Sequence, residues 1–318
     1  MSRSKKILIT GSNGFVGRAL YDELRARDYD VRGSVRDLAK FVGEQSNVVV
    51  GSLDNKTDWE GALGGCTTVI HLAGRAHIFN DRASDPASDF RRVNTEGTIN
   101  LAEQAVVEGV ERFIFVSSIG VNGSKSCEVP ITAGSDVNPH SPYAKSKLDA
   151  EVGLRKIACK SNMEVVIVRP PAIYGIDAPG NFGLIEAGIS KGIPLPFGSI
   201  VNRRSLIYLR NLTSFLAVCI EHQEVGGELF VIDDNNDLST PEIVLVMAGL
   251  SDKRARIIKF PQSILSFLLR AIGKDKVRES LMENFQIDSS ATRALTGWTP
   301  PFNPRDFFQS YLISNSGK

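Results

Sequence analysis

The chain has 318 residues, of which 42% are hydrophobic and 23% are charged, and its 37 basic and 36 acidic side chains leave a net charge of +1. This balance is typical of a globular protein and argues against a nucleic acid or a membrane as a partner. The four cysteines and four histidines lack the spacings of a disulfide framework or a metal site. With no secretory signal pattern and no apolar run long enough to span a bilayer, the sequence predicts a cytoplasmic protein.

Strand-like and helical patterns alternate through the first half of the chain. The strand-like runs cover residues 6–10, 30–36, 47–53, 67–74, 112–118 and 165–170. Helical patterns lie near residues 15–27, 58–64, 85–108 and 142–160, the last with Ser141 as a cap and Pro142 in its first turn. Short strands rich in valine and isoleucine, separated by helices, predict right-handed βαβ units and therefore a Rossmann-type doubly wound parallel sheet of the α/β class.

The composition changes after about residue 171. Proline and glycine cluster in RPPAIYGIDAPGNFG (169–183) and KGIPLPFGSI (191–200), which predicts loops over a ligand site. Helices are then predicted at 211–222, 240–250, 261–272 and 276–285, with short strands at 228–233 and 255–260. We therefore expect two interleaved parts, a sheet domain over about 1–171 and a smaller, mostly helical C-terminal domain over about 172–318.

A glycine-rich turn joins the first predicted strand to the first predicted helix. The stretch TGSNGFVG places Gly11, Gly14 and Gly17 three residues apart at this junction. Gly11 allows the tight turn, Gly14 lets the backbone approach a pyrophosphate, and Gly17 lets the helix pack closely on the strand. The helix N-terminus then presents unpaired N–H groups and a positive dipole to the phosphates. Because the turn opens a series of βα units, it predicts a bound dinucleotide.

A second pattern, SPYAKSKLDAE, places Tyr143 and Lys147 one helical turn apart on the same face. An ammonium group beside a phenol lowers the pKa of the phenol, which lets the tyrosine exchange a proton with a substrate hydroxyl or carbonyl near neutral pH. Ser117 and Ser118 end the strand predicted at 112–118, and ligands of open α/β sheets bind at such strand ends. Alone, the Tyr–Lys pair also fits an ordinary amphipathic helix; the glycine-rich turn and the serines favour an acid–base site.

The motifs TGSNGFVG, SSIGVNG and SPYAK together resemble the extended short-chain dehydrogenase/reductases, the nucleotide-sugar epimerase/dehydratase family. The resemblance covers nearly the whole chain, through SSATRALTGWTPP (289–301), and implies an NAD(P)-dependent enzyme in which hydride moves to or from the nicotinamide. It implies that Tyr143 is the acid and base, that Lys147 tunes it and holds the nicotinamide ribose, and that Ser118 orients the reacting oxygen.

The same resemblance implies further binding residues and a homodimer. Asn181 in GNFG would meet the base or phosphate of a nucleotide-sugar substrate, and Arg204 in NRRSLIYLRNL would meet its pyrophosphate, unless the arginines here form only a solvated pair. Asn94 would support the site, or be purely structural, and His71 would be a packing residue. Dimers of the family form through two helices, here those near 85–108 and 142–160. The residues expected to contact the cofactor are Gly11, Asn13, Gly14, Phe15, Val16, Gly17, Arg36, Leu53, Leu72, Ala73, Gly74, Asn94, Val116, Tyr143, Lys147, Pro170 and Ile173.

The end of the second strand bears on the choice of cofactor. NAD-binding members of the family end this strand with Asp or Glu, whose carboxylate binds the 2′-OH of the adenosine ribose. Here Val35 occupies that place and Arg36 follows it, and a guanidinium can hold a 2′-phosphate. We therefore predict NADP(H) as the cofactor. NAD is the alternative, because a small shift of the loop would bring the carboxylate of Asp37 to the ribose.

The residues that follow Ser117 and Ser118 limit the types of reaction that the enzyme is expected to catalyse. Family dehydratases carry an Asp-Glu pair there, whereas this chain has Ile119 and Gly120, so 4,6-dehydration is not expected. The stretches GRAH, NRRSL and DLSTPE resemble a bacterial subgroup labelled UDP-glucose 4-epimerase, which includes reductases that act in surface polysaccharide synthesis. The predicted NADP(H) favours 4-keto reduction of a UDP-6-deoxy-N-acetylhexosamine-type sugar. The alternatives are a UDP-glucose or UDP-N-acetylglucosamine 4-epimerase with tightly bound NAD, and a dinucleotide-binding regulator without catalysis.

Overall fold

Seven parallel strands form the sheet at the centre of the fold. The computed structural model describes residues 5–37, 47–76, 85–124 and 129–308. The strands are β1 (Lys6–Thr10), β2 (Asp30–Val35), β3 (Asn47–Val49), β4 (Thr68–His71), β5 (Arg112–Val116), β6 (Glu164–Arg169), β7 (Ile173–Tyr174), β8 (Ile207–Tyr208) and β9 (Leu229–Val231). The main sheet has the order β3-β2-β1-β4-β5-β6-β9, and β7 pairs with β8 separately. The strand order reverses between β1 and β4, where ligands bind in open α/β sheets.

Helices connect these strands and follow them toward the C-terminus. The helices are α1 (Phe15–Ala26), α2 (Glu60–Leu63), α3 (Pro86–Phe90), α4 (Gly97–Val107), α5 (Pro142–Ala158), α6 (Asn181–Ser190), α7 (Leu209–Glu221), α8 (Thr240–Leu250), α9 (Gln262–Ala271), α10 (Asp275–Met282) and α11 (Ser290–Thr296). The parallel sheet with its connecting helices confirms the predicted Rossmann-type α/β fold.

Two of the connections have local features that bear on the site. Ser141 caps α5 by accepting a hydrogen bond from the backbone N–H of Ala144 at 3.1 Å, and Pro142 occupies its first turn, as the sequence predicted. A π-helical turn, Arg91–Glu96, joins α3 to α4 and carries Asn94. Such turns are rare and often lie at functional sites, and this one breaks the single helix predicted over 85–108.

Apolar side chains cover both faces of the sheet. Ile7 and Ile9 of β1 belong to a core cluster that includes residues of α1 and α7. Leu8 points to the opposite face of the sheet and packs in another apolar core with residues of α2, α4 and α5. This alternation follows from the two-residue period of a strand, and burial on both faces explains the continuous apolar runs in the sequence.

The part of the chain after residue 171 contributes to several apolar clusters. α7 and β9 complete the main sheet region, because Phe215 and Phe230 lie in the same cluster as Ile7. A separate apolar cluster contains Tyr174 of β7, Met247 of α8 and further residues of α6 and α8. We keep the division into 1–171 and 172–318 as a proposal, with the two parts interleaved through α7 and β9.

Several predicted elements differ from those observed. The strand predicted at 255–260 is wrong: the stretch forms only an isolated bridge between Leu195 and Ile257, because in the described part of the chain no second strand lies beside it to extend a ladder. The glycine- and proline-rich stretch 169–183, predicted as loop, contains β7 and the start of α6. The strand predicted at 228–233 is β9, and it joins the main sheet rather than the C-terminal part.

The described residues also bear on the predictions about membrane spans, metal sites and cysteines. Among the described residues, none of the helices combines the length and the hydrophobicity that crossing a bilayer requires. Within the same ranges, no three side chains of the metal-ligating types come together. Cys66, Cys159 and Cys219 are free thiols, and Cys127 lies outside the described residues.

Candidate active site

The glycine-rich turn between β1 and α1 has the geometry of a phosphate cradle. Gly11 has a φ of 68°, a left-handed conformation that favours glycine, and a Cβ there would lie 3.0 Å from the backbone of Ala73. A Cβ on Gly17 would lie 2.1 Å from the carbonyl oxygen of Gly11, so α1 can approach the turn only with glycine at this position. Gly14 is the N-cap of α1 and provides no side-chain cap for the amides that begin at Phe15. Uncapped amides at a helix N-terminus fit a bound pyrophosphate.

The carboxyl end of β2 lies beside this turn. Ser12 Oγ donates to Asn47 Oδ1 at 2.6 Å, and a Cβ on Gly33 would overlap both side chains. Val35, the last residue of β2, is buried, and Arg36 follows it in an exposed position. An apolar buried side chain cannot bind a ribose hydroxyl. The contact of Arg36 with a 2′-phosphate stays a prediction.

Ser118 and Tyr143 meet at the carboxyl end of β5. The Ser118 hydroxyl lies near enough to the Tyr143 hydroxyl to lower the pKa of the phenol. Ser118 Oγ also accepts from the backbone N–H of Gly120 at 3.1 Å, so its own proton is free to be donated to another oxygen. Tyr143 is half-buried; burial raises the pKa of its phenol to about 12, and the Ser118 hydroxyl opposes this rise.

Lys147 lies one turn further along α5 and is buried. Its Nζ donates to the carbonyl oxygen of Val116 at 2.9 Å and lies 4.6 Å from the ring centroid of Phe115. Burial lowers the pKa of Lys147 to about 8, while the charge of Glu151 raises it. Burial is the main influence on the pKa of the phenol, and the ammonium is bound to the end of β5, so the lowering of the Tyr143 pKa by Lys147 stays a prediction.

The two adjacent serines have different partners. Ser117 Oγ donates to Glu151 Oε1 at 2.5 Å. Glu151 forms a buried ion pair with Arg169 at 2.5 Å, and Arg169 donates to Asn122 Oδ1 at 3.0 Å. Ser117 is therefore part of a buried polar network beneath the site, and Ser118 is the serine that reaches Tyr143.

His71, at the end of β4, is a buried link between elements. Thr98 Oγ1 donates to the carbonyl oxygen of Asn94, so it accepts from His71 Nε2 at 2.9 Å. His71 Nδ1 then accepts from Thr10 Oγ1 at 2.7 Å. Burial, together with the charge of Lys147, lowers the pKa of His71 to about 3. The histidine is neutral at physiological pH and has the packing role that the sequence predicted.

Asn94 uses both ends of its amide to hold the segment after β4. Its Oδ1 accepts from the backbone N–H of Arg75 at 2.7 Å, and its Nδ2 donates to Ser146 Oγ at 3.0 Å. A Cβ on Gly74 would lie 3.0 Å from Asn94 Oδ1 and 3.7 Å from Lys147 Nζ. Asn94 thus ties the π-helical turn to Arg75 and α5, which is the geometry of a supporting residue.

The backbone at the ends of β4 and β6 borders the same region. The backbone N–H groups of Leu72 and Ala73 both donate to Thr10 Oγ1 at 3.1 Å, so their orientation is set by β1. The carbonyl oxygen of Pro170 accepts from the backbone N–H of Ile119 at 3.0 Å. These bonds bring the predicted backbone contacts of the cofactor to one edge of the sheet.

Other residues predicted to contact the cofactor lie in apolar surroundings. Leu53 is packed in the core. Ile173 is half-buried and pairs with Ile207 across β7 and β8. The ring of Phe15 approaches the segment after β7, since a Cβ on Gly175 would lie 3.4 Å from it. Two further residues of the glycine-rich turn are half-buried: Asn13 and Val16.

The two residues predicted to bind the substrate meet the same segment. Asn181, the first residue of α6, donates from Nδ2 to Ser280 Oγ at 3.0 Å. Arg204 donates to the carbonyl oxygen of Glu283 at 2.9 Å, and its guanidinium lies 5.7 Å from the ring centroid of Phe285. Burial lowers the pKa of Arg204 to about 10. Arg204 is therefore a half-buried cation rather than one of a solvated surface pair.

Asn181, Arg204, Ser280 and Glu283 form a polar group that we call the second cluster. Arg278 also belongs to it, although the sequence did not predict this residue. Its guanidinium pairs with Asp275 at 3.4 Å and with Glu283 at 3.1 Å, and its side chain is 15% exposed. Hydrogen bonds with these carboxylates, the one with Glu283 first, raise its pKa. Arg278 and Arg204 thus converge on the side chain and the carbonyl of one residue. The stretch KDKVRESLMEN contains charges on every side and no motif, so nothing in it distinguished this arginine.

Comparison with known proteins places these features in one family. Residues 7–233 match the NAD dependent epimerase/dehydratase family. A UDP-glucose 4-epimerase of Vibrio cholerae is 38% identical over 321 residues, covering 98% of this chain and 97% of the relative. An N-acetyl-alpha-D-glucosaminyl-diphospho-ditrans,octacis-undecaprenol 4-epimerase of Escherichia coli O157:H7 is 28% identical and covers 84% of this chain and 77% of the relative.

Solved structures show the same fold. The UDP-N-acetylglucosamine 4-epimerase from Bacillus cereus superposes with a TM-score of 0.77 at 18% identity, covering 98% of this chain and 99% of that one. The UDP-glucuronic acid 4-epimerase from Bacillus cereus in complex with NAD superposes with a TM-score of 0.74 at 20% identity, with the same coverage. At these identities the superpositions support the fold alone. Because the family match covers most of its length, the chain belongs to the NAD dependent epimerase/dehydratase family.

Proposed function

We propose that this enzyme of the short-chain dehydrogenase/reductase type is a 4-epimerase of a UDP-sugar and that it works with bound NAD. The observation that carries the proposal is the Ser118–Tyr143 pair at the end of β5, in a chain 38% identical over 98% of its length to a UDP-glucose 4-epimerase. Membership of an enzyme family also sets aside the non-catalytic regulator.

In this proposal Tyr143 and Ser118 act on the C4 oxygen of the sugar. Tyr143, as the phenolate, accepts the proton of the C4 hydroxyl while the sugar is oxidised, and the phenol returns it when the 4-keto group is reduced. Ser118 donates a hydrogen bond to the same oxygen, since its own Oγ already accepts from Gly120. Bound NAD would supply the hydride acceptor and donor and, when oxidised, a positive charge near the phenol.

The charge around Tyr143 decides whether it can lose its proton. Burial raises its pKa to about 12 even though Ser118 opposes the rise, so deprotonation near pH 7 needs a nearby positive charge. Lys147 is the cation on the same face of α5, one turn away, and the nicotinamide is the second source. In this proposal both charges lower the pKa of Tyr143 when the cofactor is in place.

The second cluster is proposed to hold the nucleotide diphosphate. Arg204 and Arg278 present two guanidinium groups around Glu283, and guanidinium pairs bind phosphate oxygens well. Asn181 lies against the same segment through Ser280 and would hydrogen-bond the base or a phosphate. A diphosphate there would compete with Glu283 for the side chain of Arg278.

A second candidate is 4-keto reduction of a UDP-6-deoxy-N-acetylhexosamine-type sugar with NADP(H). The observation that favours it is the end of β2, where Val35 is buried and Arg36 is exposed. A reductase consumes one reduced cofactor per turnover and therefore exchanges it with solution. An epimerase regenerates its cofactor within each turnover and can retain it.

The two candidates are separated by their products. The purified protein would be incubated with UDP-glucose and UDP-N-acetylglucosamine without added reductant, and separately with UDP-4-keto-6-deoxy sugars and NADPH or NADH, and the products followed by NMR. We expect interconversion of the C4 epimers without net oxidation of cofactor, and no turnover by Tyr143→Phe. Stoichiometric oxidation of NADPH with the keto sugars alone would favour the reductase. No reaction with any of these sugars would contradict both.

The cofactor is tested by titration of the apo-protein with NADH and NADPH. Retention of NAD through purification, or tighter binding of NADH, supports the epimerase. If NADPH binds more tightly, Arg36→Ala should weaken it roughly tenfold while NADH is unaffected, because one charge-assisted contact is lost. Arg25→Ala, an exposed arginine at the far end of α1, is the matched control.

We also propose a homodimer and a cytoplasmic location. The helices that dimerise in related enzymes correspond to α3–α4 and α5 here, and each exposes a valine, Val107 on α4 (84% exposed) and Val152 on α5 (45% exposed). The buried free thiols Cys66 and Cys219 fit a reducing compartment. Light scattering of wild type and of Val152→Asp tests the dimer: the variant should be monomeric.

A further inference from the structure

Helix α9 carries an apolar stripe that faces solvent. Ile264, Phe267 and Leu268 are 48%, 70% and 48% exposed, and Ile272, its C-cap, is 64% exposed. Ala271 lies in the same row and is exposed as well. The spacing i, i+3, i+4, i+7, i+8 places all five side chains on one face, and on most globular helices such a row faces the core.

A different face of α9 already attaches the helix to the protein. Leu265 is buried in a cluster with Ile200 and Met282, and Leu269 packs against it. The helix therefore does not need its exposed stripe to stay in place. The stripe is additional apolar surface, and large exposed apolar patches commonly mark interaction sites.

Basic side chains flank the stripe on both sides along the chain. Between Lys253 and Lys276 the sequence has seven basic residues and one acidic residue, although the whole chain has a net charge of only +1. Arg270 lies 3.6 Å from the single acid, Asp275, and both side chains are more than half exposed. The seven basic residues are all exposed: Lys253, Arg254, Arg256, Lys259, Arg270, Lys274 and Lys276.

We propose that α9 docks the enzyme on the surface of a bilayer that contains anionic lipids. Such a helix lies in the interface with its apolar row among the acyl chains, while flanking lysines and arginines meet the phosphate groups. A second copy of the chain is a poorer occupant, because a symmetric contact through this face would bring two basic segments together. The docking does not depend on which reaction the enzyme catalyses.

Docking at this face would bring the second cluster toward the membrane. α10 follows α9 after three residues and carries Arg278 and Ser280. The substrate cluster is thus adjacent in the chain to the proposed membrane contact. The net charge of +1 averages this basic segment with the rest of the molecule, so it does not exclude a membrane partner for α9.

The test is sedimentation of the full-length protein with vesicles. We expect binding to vesicles of phosphatidylcholine with phosphatidylglycerol, weaker binding at high salt, and little binding to phosphatidylcholine alone. The double variant Phe267→Ser/Leu268→Ser should lower the partition coefficient roughly tenfold or more, because two apolar side chains no longer enter the interface. Lys274→Gln and Lys276→Gln should each lower it by roughly fivefold.

Val129→Ser, which removes an exposed valine elsewhere, is the matched control and should bind as wild type does. Circular dichroism, and turnover of a UDP-sugar in the absence of vesicles, should be unchanged in all variants, which shows that the fold is intact. Equal binding of wild type and the double variant, or no binding of wild type to anionic vesicles at low salt, would overturn the proposal. Concentration-dependent self-association that the double variant loses, without vesicle binding, would assign the stripe to a second copy instead.

Discussion

The candidate active site at the end of β5, which is the first region, and the second cluster around α10, which is the second region, are built in different ways. Ser118, Tyr143 and Lys147 come from one strand end and two successive turns of one helix, so regular backbone geometry sets their positions. Asn181, Arg204 and the residues of α10 come from three segments distant in sequence and are held by side-chain contacts between them. A site of the first kind can be recognised from local spacing, whereas one of the second kind requires the tertiary fold.

The two regions also differ in how their charges are compensated. Lys147 is buried against a carbonyl and a ring, and burial lowers its pKa to about 8. Arg278 is surrounded by carboxylates, which raise its pKa. The first region therefore holds a cation whose pKa lies close to the physiological range, and the second keeps its cations charged at all physiological pH values. This contrast suits chemistry in one region and anion binding in the other.

The largest expected effect is on Tyr143. Tyr143→Phe should lower kcat by about a thousandfold, because the phenol is the only group placed to exchange the proton in the proposed mechanism. Binding of the dinucleotide, measured by titration, should be unchanged, since the ring remains. Tyr21→Phe, which removes a buried phenol from α1, should leave kcat unchanged. A kcat within tenfold of wild type in Tyr143→Phe would remove the acid–base role.

The next largest expected effect distinguishes the roles of the adjacent serines Ser117 and Ser118. Ser118→Ala should lower kcat by roughly a hundredfold, as expected for loss of a hydrogen bond to the reacting oxygen. Ser117→Ala should keep kcat within a few-fold and lower the free energy of unfolding by about 1–3 kcal/mol, because Glu151 loses a buried partner. Kinetics and urea denaturation of both variants are the measurements. The reverse pattern would assign the catalytic role to Ser117.

The buried ammonium of Lys147 should make stability depend on pH. Its folded-state pKa, about 8, lies below its ordinary value of 10.5, so folding disfavours the charged form. This unfavourable contribution to folding is present in full below pH 8. It is relieved as the pH rises from 8 toward 10.5, because over this range the unfolded chain binds the proton and the folded protein does not. The free energy of unfolding of wild type relative to Lys147→Met should therefore rise by on the order of 2 kcal/mol between pH 7 and pH 10.

Urea denaturation at several pH values measures this difference. Lys145→Met, which removes an exposed lysine two residues earlier on α5, is the matched control. A flat difference between wild type and Lys147→Met would mean that the ammonium is solvated and does not lie buried at the end of β5.

The smallest of these kinetic effects is expected at the second cluster. Arg278→Ala and Arg204→Ala should each raise KM for the UDP-sugar roughly tenfold with little change in kcat, because each removes a charge-assisted bond to a phosphate. Binding of the dinucleotide should not change. Arg203→Ala, the exposed neighbour, is the control. A fall in kcat with an unchanged KM would contradict a purely binding role.

The sequence predicted most of the fold and the first region but only part of the second. Tyr143 and Lys147 were predicted because a four-residue spacing on a helix determines a common face, and Gly11 and Gly17 because close backbone approach admits no side chain there. Arg278 was not, because its partners are set by the packing of α10 against Arg204 and α6. The strand predicted at 255–260 failed because an apolar run becomes a strand only when another strand pairs with it.

The placement of β9 and α7 has a consequence for how the protein is made. β9 is an edge strand of the main sheet, and α7 covers one face of it, yet both lie more than 35 residues after β6 in the sequence. A nascent chain that has emerged only through β6 exposes an unpaired strand edge and an uncovered apolar face, which are the features that promote misassembly. The N-terminal half should therefore not fold as an independent unit during synthesis, and a truncation after residue 171 should aggregate rather than yield a dinucleotide-binding fragment.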